Sequence, residues 1–256
     1  MERKIQRFGW IPDLPDARDH MYAAPPRVLA ALPSKADLRP QCPAVVDQGA
    51  LGSCTANAIA NAHLFDQRKQ NAPHPLLPSR LFIYYNERVM EGTVGSDAGA
   101  MIRDGIKSIA KQGVCPEQQW PYTISKFTQK PPQTCYTEAL QHQAVSYQRV
   151  VQSLTQLKGC LAAGYPFVFG FTVYESFESQ EVTRTGTVPM PASGEQALGG
   201  HAVLAVGYDD AMQRFIVMNS WGTDWGMQGF FTMPYSYLTD TDLSADFWTV
   251  RLVETT

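Results

Sequence analysis

Asp47-Gln48-Gly49-Ala50-Leu51-Gly52-Ser53-Cys54-Thr55-Ala56-Asn57 places a cysteine at the mouth of a helix, with a glutamine six positions before it. Beyond Cys54 the apolar residues Ala58, Ile59, Ala62 and Phe65 recur at i, i+1, i+4 and i+7, which is one helical face. Gly52 and Ser53 supply a turn and an N-cap, so the spacing predicts a helix that begins at or beside Cys54. The start of a helix favours negative charge, which lowers a thiol's pKa and makes it a nucleophile.

A nucleophile needs a base, and the base needs an orienting partner. Of the five histidines, His20, His63, His74 and His142 stand in polar, proline-rich or mid-helix surroundings. His201 instead follows Gly199-Gly200 and opens Ala202-Val203-Leu204-Ala205-Val206-Gly207-Tyr208, the pattern of a buried strand. The polar connector 209–214 has hairpin length, and a second strand, Phe215-Ile216-Val217-Met218, ends at Asn219. Folding that hairpin brings His201 and Asn219 to one end of it. There the asparagine carbonyl can accept one imidazole N–H and aim the other ring nitrogen at Cys54.

Taken in order, Gln48, Gly52-Ser53-Cys54, Gly200-His201-Ala202-Val203 and Asn219-Ser220-Trp221-Gly222 with Trp225-Gly226 resemble the papain family of cysteine peptidases. The separation of 147 positions from Cys54 to His201 fits that family's spacing. Gly113-Val114-Cys115-Pro116-Glu117 and Trp120-Pro121-Tyr122 are similar to its mid-domain segment, and the likeness runs from about residue 36 to 233. The chain also departs from the best-known members. Leu51 and Thr55 stand where those carry a disulfide cysteine and an aromatic residue, and Asp97-Ala98-Gly99-Ala100 replaces their glycine-rich substrate strand. Residues 1–35 do not show the pattern of a long helical propeptide. The form Gly-Ser-Cys-Thr-Ala-Asn, with the opening Gly9-Trp10-Ile11-Pro12-Asp13-Leu14-Pro15-Asp16, is similar to a bacterial branch of the family.

The resemblance implies a hydrolase of peptide bonds that works through a thiolate–imidazolium pair and a thioester acyl-enzyme. It implies Cys54, His201 and Asn219 as catalytic residues, with the Gln48 side chain and the Cys54 backbone N–H as oxyanion donors. Gly99 and Ala100 would pair with substrate backbone, Ile102 and Ala202 would wall a pocket, and Gly200 and Trp221 would line the cleft. Trp221 would also shield the His201–Asn219 bond. The substrate is a protein or peptide, and neither a cofactor nor a metal is implied. Two rival uses of the chain are an acyl transferase or ligase built on the same Cys–His–Asn site, and a peptide- or ligand-binding pseudoenzyme.

The pattern of elements gives an α+β fold in three regions. Residues 1–35 are rich in proline and aspartate, suited to a short propeptide or an arm lying in the cleft. Residues 36–145 are mostly helical in pattern, including 79–90 and 100–112. Residues 146–256 are strand-rich, at 167–173, 202–208, 215–219, 229–233 and about 247–253. This predicts a helical lobe carrying the nucleophile, an antiparallel β-barrel-like lobe carrying the base, and a site in the cleft between them.

A hydrophobic content of 44% supports a sizeable core, and a net charge of −3 gives no footprint for nucleic acid or an anionic membrane. No apolar run has transmembrane length. Met1-Glu2-Arg3-Lys4 is not followed by an apolar segment, so cytoplasmic residence or export by another route is expected. With Cys54 catalytic, Cys160 reads as a buried thiol on an amphipathic helix. One bridge among Cys42, Cys115 and Cys135 and a fully reduced set are equally open. His63 and Trp225 read as structural, and Asp97 as turn chemistry.

Overall fold

Two apolar runs around Phe167 and Val203 have no helical period and are too short to cross a membrane, so they form central strands buried on both faces. They organise the rest of the chain. The structure, a computed structural model, describes residues 8–254. Its strands are β1 (Trp10–Ile11), β2 (Met21–Tyr22), β3 (Lys35–Asp37), β4 (Ala100–Met101), β5 (Ala144–Val150), β6 (Phe167–Tyr174), β7 (Ala197–Asp209), β8 (Arg214–Met218), β9 (Phe230–Pro234) and β10 (Ser244–Val253). Its helices are α1 (Pro26–Leu29), α2 (Cys54–Lys69), α3 (Arg80–Glu91), α4 (Ile102–Lys111), α5 (Gln133–Ala139), α6 (Leu154–Ala162), α7 (Gln180–Thr185) and α8 (Tyr235–Thr239). No helix among the described residues is long and apolar enough to cross a membrane.

The sheet has the order β2-β5-β10-β6-β7-β8-β9, with β3 paired to the end of β7. It is antiparallel except where β2 joins β5. Alternate residues of β6 send Phe167, Phe169 and Phe171 into the core, where Phe169 stacks on Phe247 with ring centroids 5.5 Å apart. Helix α2 lies against β7 and β10 and is covered on its other side by α3 and α4. From Cys54 to Gln67 every residue of α2 is buried. Alanines at 56, 58, 60 and 62 allow that close approach from all sides. A helical layer carrying Cys54 thus meets a sheet carrying His201, the α+β arrangement of two lobes.

Three of the differences from expectation bear on the site and the N-terminal segment. The helix expected from residue 100 begins at Ile102, because Ala100 and Met101 pair in parallel with Trp10 and Ile11. Ala144–Val150 is a strand, although its polar residues Ser146, Gln148 and Arg149 conceal the pattern. Residues 8–37 hold β1, β2 and β3 despite their prolines, since each short strand borrows a partner from elsewhere in the chain. All five cysteines are free thiols. Cys115 and Cys135 share a small buried cluster with Phe82 and Ala139, and Cys160 is fully buried on α6 as expected.

Candidate active site

Cys54 is the first residue of α2, so its N–H is among those with no intrahelical acceptor. Ser53 holds the N-cap position without capping. Its hydroxyl is taken by Tyr122 Oη at 2.5 Å and Asn57 Nδ2 at 3.0 Å. The turn before the helix is instead held by Gln48. The Gln48 Nε2 donates to the Leu51 carbonyl at 2.9 Å, and its Oε1 accepts from Ser220 Oγ at 2.6 Å. Tyr122 donates to the Gln48 carbonyl at 2.8 Å. A primary amide has two N–H donors, so one remains for a ligand beside the Cys54 N–H.

The β7–β8 hairpin pairs Leu204 with Met218, which carries His201 and Asn219 to the same end. The pair is joined by a hydrogen bond of 2.8 Å between His201 Nε2 and Asn219 Oδ1. Trp221 lies over the imidazole, with ring centroids 4.9 Å apart and planes at 31°. Trp225 packs edge-on against Trp221 inside the core. The His201 Nδ1 has no hydrogen-bond partner among the described residues. It belongs to the residue next to Ala202, whose backbone lies near the Cys54 sulfur.

The Gly9 backbone also lies near that sulfur, and Gly9 belongs to the N-terminal segment. The Ala100 N–H donates to the Gly9 carbonyl at 2.8 Å. Gly99 has φ +76°, and a Cβ there would fall 2.3 Å from the same carbonyl, so only glycine lets the segment approach. Phe8 packs on the edge of the His201 ring, with centroids 6.4 Å apart. Trp10 fills a pocket in which Cβ atoms on Gly170 and Gly200 would lie 2.0 Å and 2.5 Å from its atoms. Its indole N–H donates to Asp246 at 3.1 Å. Residues 8–11 therefore run along Gly99 and Ala100 and cover the sulfur.

Beyond Trp10 the segment is tied down by charge. The Asp13 N–H donates to Asp246, while its carboxylate accepts from Trp248 Nε1 and from the Arg103 N–H. Asp19 pairs with Arg103 and Arg149, Asp16 pairs with Lys107, and Arg149 also pairs with Asp246. Burial, with the Asp246 charge adding to it, pushes the Asp13 carboxyl up to about 6.

Covered in this way, the site is electrostatically silent. Burial pushes the Cys54 thiol up to about 12 and His201 down to about 4. Both shifts favour the neutral form, because burial removes the water that would stabilise either charge.

Of the residues named from the sequence, the structure joins Gln48 to Ser220 and His201 to Asn219 and Trp221, and sets Gly99, Ala100 and Gly200 against residues 9–10. Ile102 is buried at the start of α4. Asp97 is more than turn chemistry, because its carboxylate accepts the Gly52 N–H and the Tyr84 hydroxyl. Asp246 and Tyr84 carried no local signal, and Trp10 only its place in the opening Gly9–Asp16 stretch. Tyr122 had one, in the Trp120-Pro121-Tyr122 segment. His63 is structural, its two nitrogens bonded to the His142 carbonyl and Gln67.

The sequence profile of papain family cysteine proteases matches residues 32–245. The chain is 44% identical over 272 residues to an uncharacterized peptidase C1-like protein of Acanthamoeba polyphaga mimivirus, covering 97% of this chain and 88% of that one. It is 29% identical to cathepsin B-like CP2 of Giardia intestinalis, over 79% of this chain and 69% of that one. Among solved structures, xylellain, a cysteine protease from Xylella fastidiosa, superposes with a TM-score of 0.92 at 44% identity, over 100% of this chain and 99% of that one. Procathepsin B S9 from Trypanosoma congolense shares the fold, with a TM-score of 0.76 at 19% identity over 97% of this chain and 87% of that one. The family profile over most of the chain and full-length likeness at 44% identity lead to one conclusion: this chain belongs to the papain family of cysteine proteases, thiol hydrolases of peptide bonds.

Proposed function

We propose that Cys54, His201 and Asn219 perform the hydrolysis, and that residues 8–19 are a removable arm that keeps the enzyme latent. The observation that carries the reading is the His201–Asn219 bond, roofed by Trp221 and set beside backbone that lies near the Cys54 sulfur. With the arm displaced and water admitted, His201 Nδ1 takes the Cys54 proton and the ion pair forms. The thiolate attacks a peptide carbonyl, and the oxyanion is held by the second Gln48 N–H and the Cys54 N–H. A single such donor is typically worth about 3 kcal/mol. His201 then returns the proton to the leaving amine, and water hydrolyses the thioester. Gly99, Ala100, Gly200 and Ala202 hold the substrate backbone, since a polypeptide segment already lies against them.

Labelling with an epoxide thiol inhibitor tests the assignment. One equivalent is expected on Cys54, lost in both Cys54→Ala and His201→Ala. Labelling that persists undiminished without His201 would overturn it. Replacing Gln48 with alanine is expected to lower kcat about a hundredfold, in line with loss of one oxyanion donor, as measured by peptide hydrolysis. An unchanged kcat would remove Gln48 from that role.

The arm also carries a pH dependence. In the free arm Asp13 titrates near its ordinary value of 3.8, and in the docked arm near 6. The docked state holds the proton more tightly, so this contribution to docking is complete below pH 3.8 and is lost as pH rises through about 6. The hydrolysis rate of the full chain, divided by that of arm-trimmed enzyme at the same pH, is expected to rise by up to about fiftyfold from pH 4 to 7. A flat or falling ratio would show that Asp13 does not control docking.

A further inference from the structure

We propose that Asp97 is a positioning residue for the oxyanion hole, acting on Gln48 through the peptide unit that joins Leu51 to Gly52. The proposal rests on the catalytic reading of Gln48 and Cys54 given above. The Gly52 N–H donates to both Asp97 carboxylate oxygens at 3.1 Å. At the other end of the same peptide unit, the Leu51 carbonyl accepts from Gln48 Nε2 at 2.9 Å and from the Ser53 N–H at 2.8 Å. A carboxylate on the N–H side polarises the amide and makes its carbonyl a stronger acceptor, because hydrogen bonds in a chain reinforce one another. The Leu51 carbonyl therefore holds one Gln48 N–H firmly, which fixes the direction of the second. Ser220 holds the amide from its oxygen side.

Asp97 is itself fixed by the Tyr84 hydroxyl, which donates to it and accepts the Gly99 N–H at 3.2 Å. One carboxylate thus links the turn before the nucleophile, the oxyanion donor and the strand edge that pairs with backbone at Ala100. Oxyanion stabilisation depends on donors held in place before charge develops, so loosening this link removes catalysis without removing the thiol.

The experiment compares two reactions of Cys54 in the full chain. Peptide hydrolysis passes through an oxyanion; alkylation by iodoacetamide does not. Their ratio cancels any change in how often the arm opens. Asp97→Ala is expected to lower the hydrolysis-to-alkylation ratio by about tenfold to a hundredfold, mainly in kcat. Asp97→Asn keeps an acceptor and is expected to recover most of that loss. Combining Gln48→Ala with Asp97→Ala should cost no more than Gln48→Ala alone, because both act on one donor. Hydrolysis and alkylation falling in step, or losses that multiply in the double variant, would overturn the proposal. Should Asp97→Ala fail to fold, Asp97→Asn and Tyr84→Phe decide by the same ratio, each expected to lower it severalfold and an unchanged ratio in both counting against the link. Cys54→Ser separates the two levels. Retained hydrolysis there defeats the catalytic reading itself, whereas lost hydrolysis with an Asp97-independent ratio defeats only the positioning role.

Discussion

Replacing His201 with alanine is expected to cut kcat/KM for peptide hydrolysis by about ten-thousandfold or more. The magnitude follows from the absence of a substitute. The imidazole is fully buried, its Nε2 is committed to Asn219, and only Nδ1 remains to take the thiol proton. His63 lies on the same helix as Cys54, but both of its nitrogens are bonded, and burial holds its pKa down to about 4. Cys54 in the variant should alkylate only as pH approaches the range of an unassisted thiol, about 8.5. The measurement pairs steady-state hydrolysis with the pH profile of iodoacetamide labelling, on protein shown to be folded by circular dichroism. Hydrolysis within tenfold of the parent would show that another group serves as base.

Displacing the arm is the second large effect, in the opposite direction. Trp10→Ala removes a buried indole that fills the space left by Gly170 and Gly200, together with its bond to Asp246. Large-to-small changes of this kind typically cost about 3 kcal/mol or more. Here the loss falls on docking of the arm, so hydrolysis and Cys54 labelling in the full chain are expected to rise about a hundredfold. Removing residues 1–16 should act in the same direction. A cut at residue 30 is the poorer test, because it also removes β2, a strand of the main sheet paired with β5, and would weaken the fold. Activity that stays level after Trp10→Ala in a folded protein would mean that the segment is a structural wrap and not an inhibitor.

The parts of this molecule legible in the sequence are those whose geometry is local. Residues 201–219 form a hairpin, so the placing of His201 against Asn219 follows from strand length and turn length alone. Helix α2 declares itself by periodicity, and Gln48 lies within a few residues of the helix it serves. The parts that were not legible depend on pairing across the chain. Trp10 meets Asp246 at a separation of 236 residues, and Asp97 meets Gly52 across 45. Neither aspartate has a neighbour in sequence that marks its partner. The strand at Ala144–Val150 escaped for a related reason. It carries polar side chains because it lies between β10 and the short β2, half covered by the N-terminal segment. Ala100 and Met101 have helical propensity, but pairing with Trp10 and Ile11 overrides it.

The unbonded state of all five cysteines has a practical consequence. With no native cross-link to restore, the chain can be refolded from urea with dithiothreitol present throughout. The same reductant that keeps the nucleophilic sulfur from oxidising then leaves the scaffold's melting temperature unchanged.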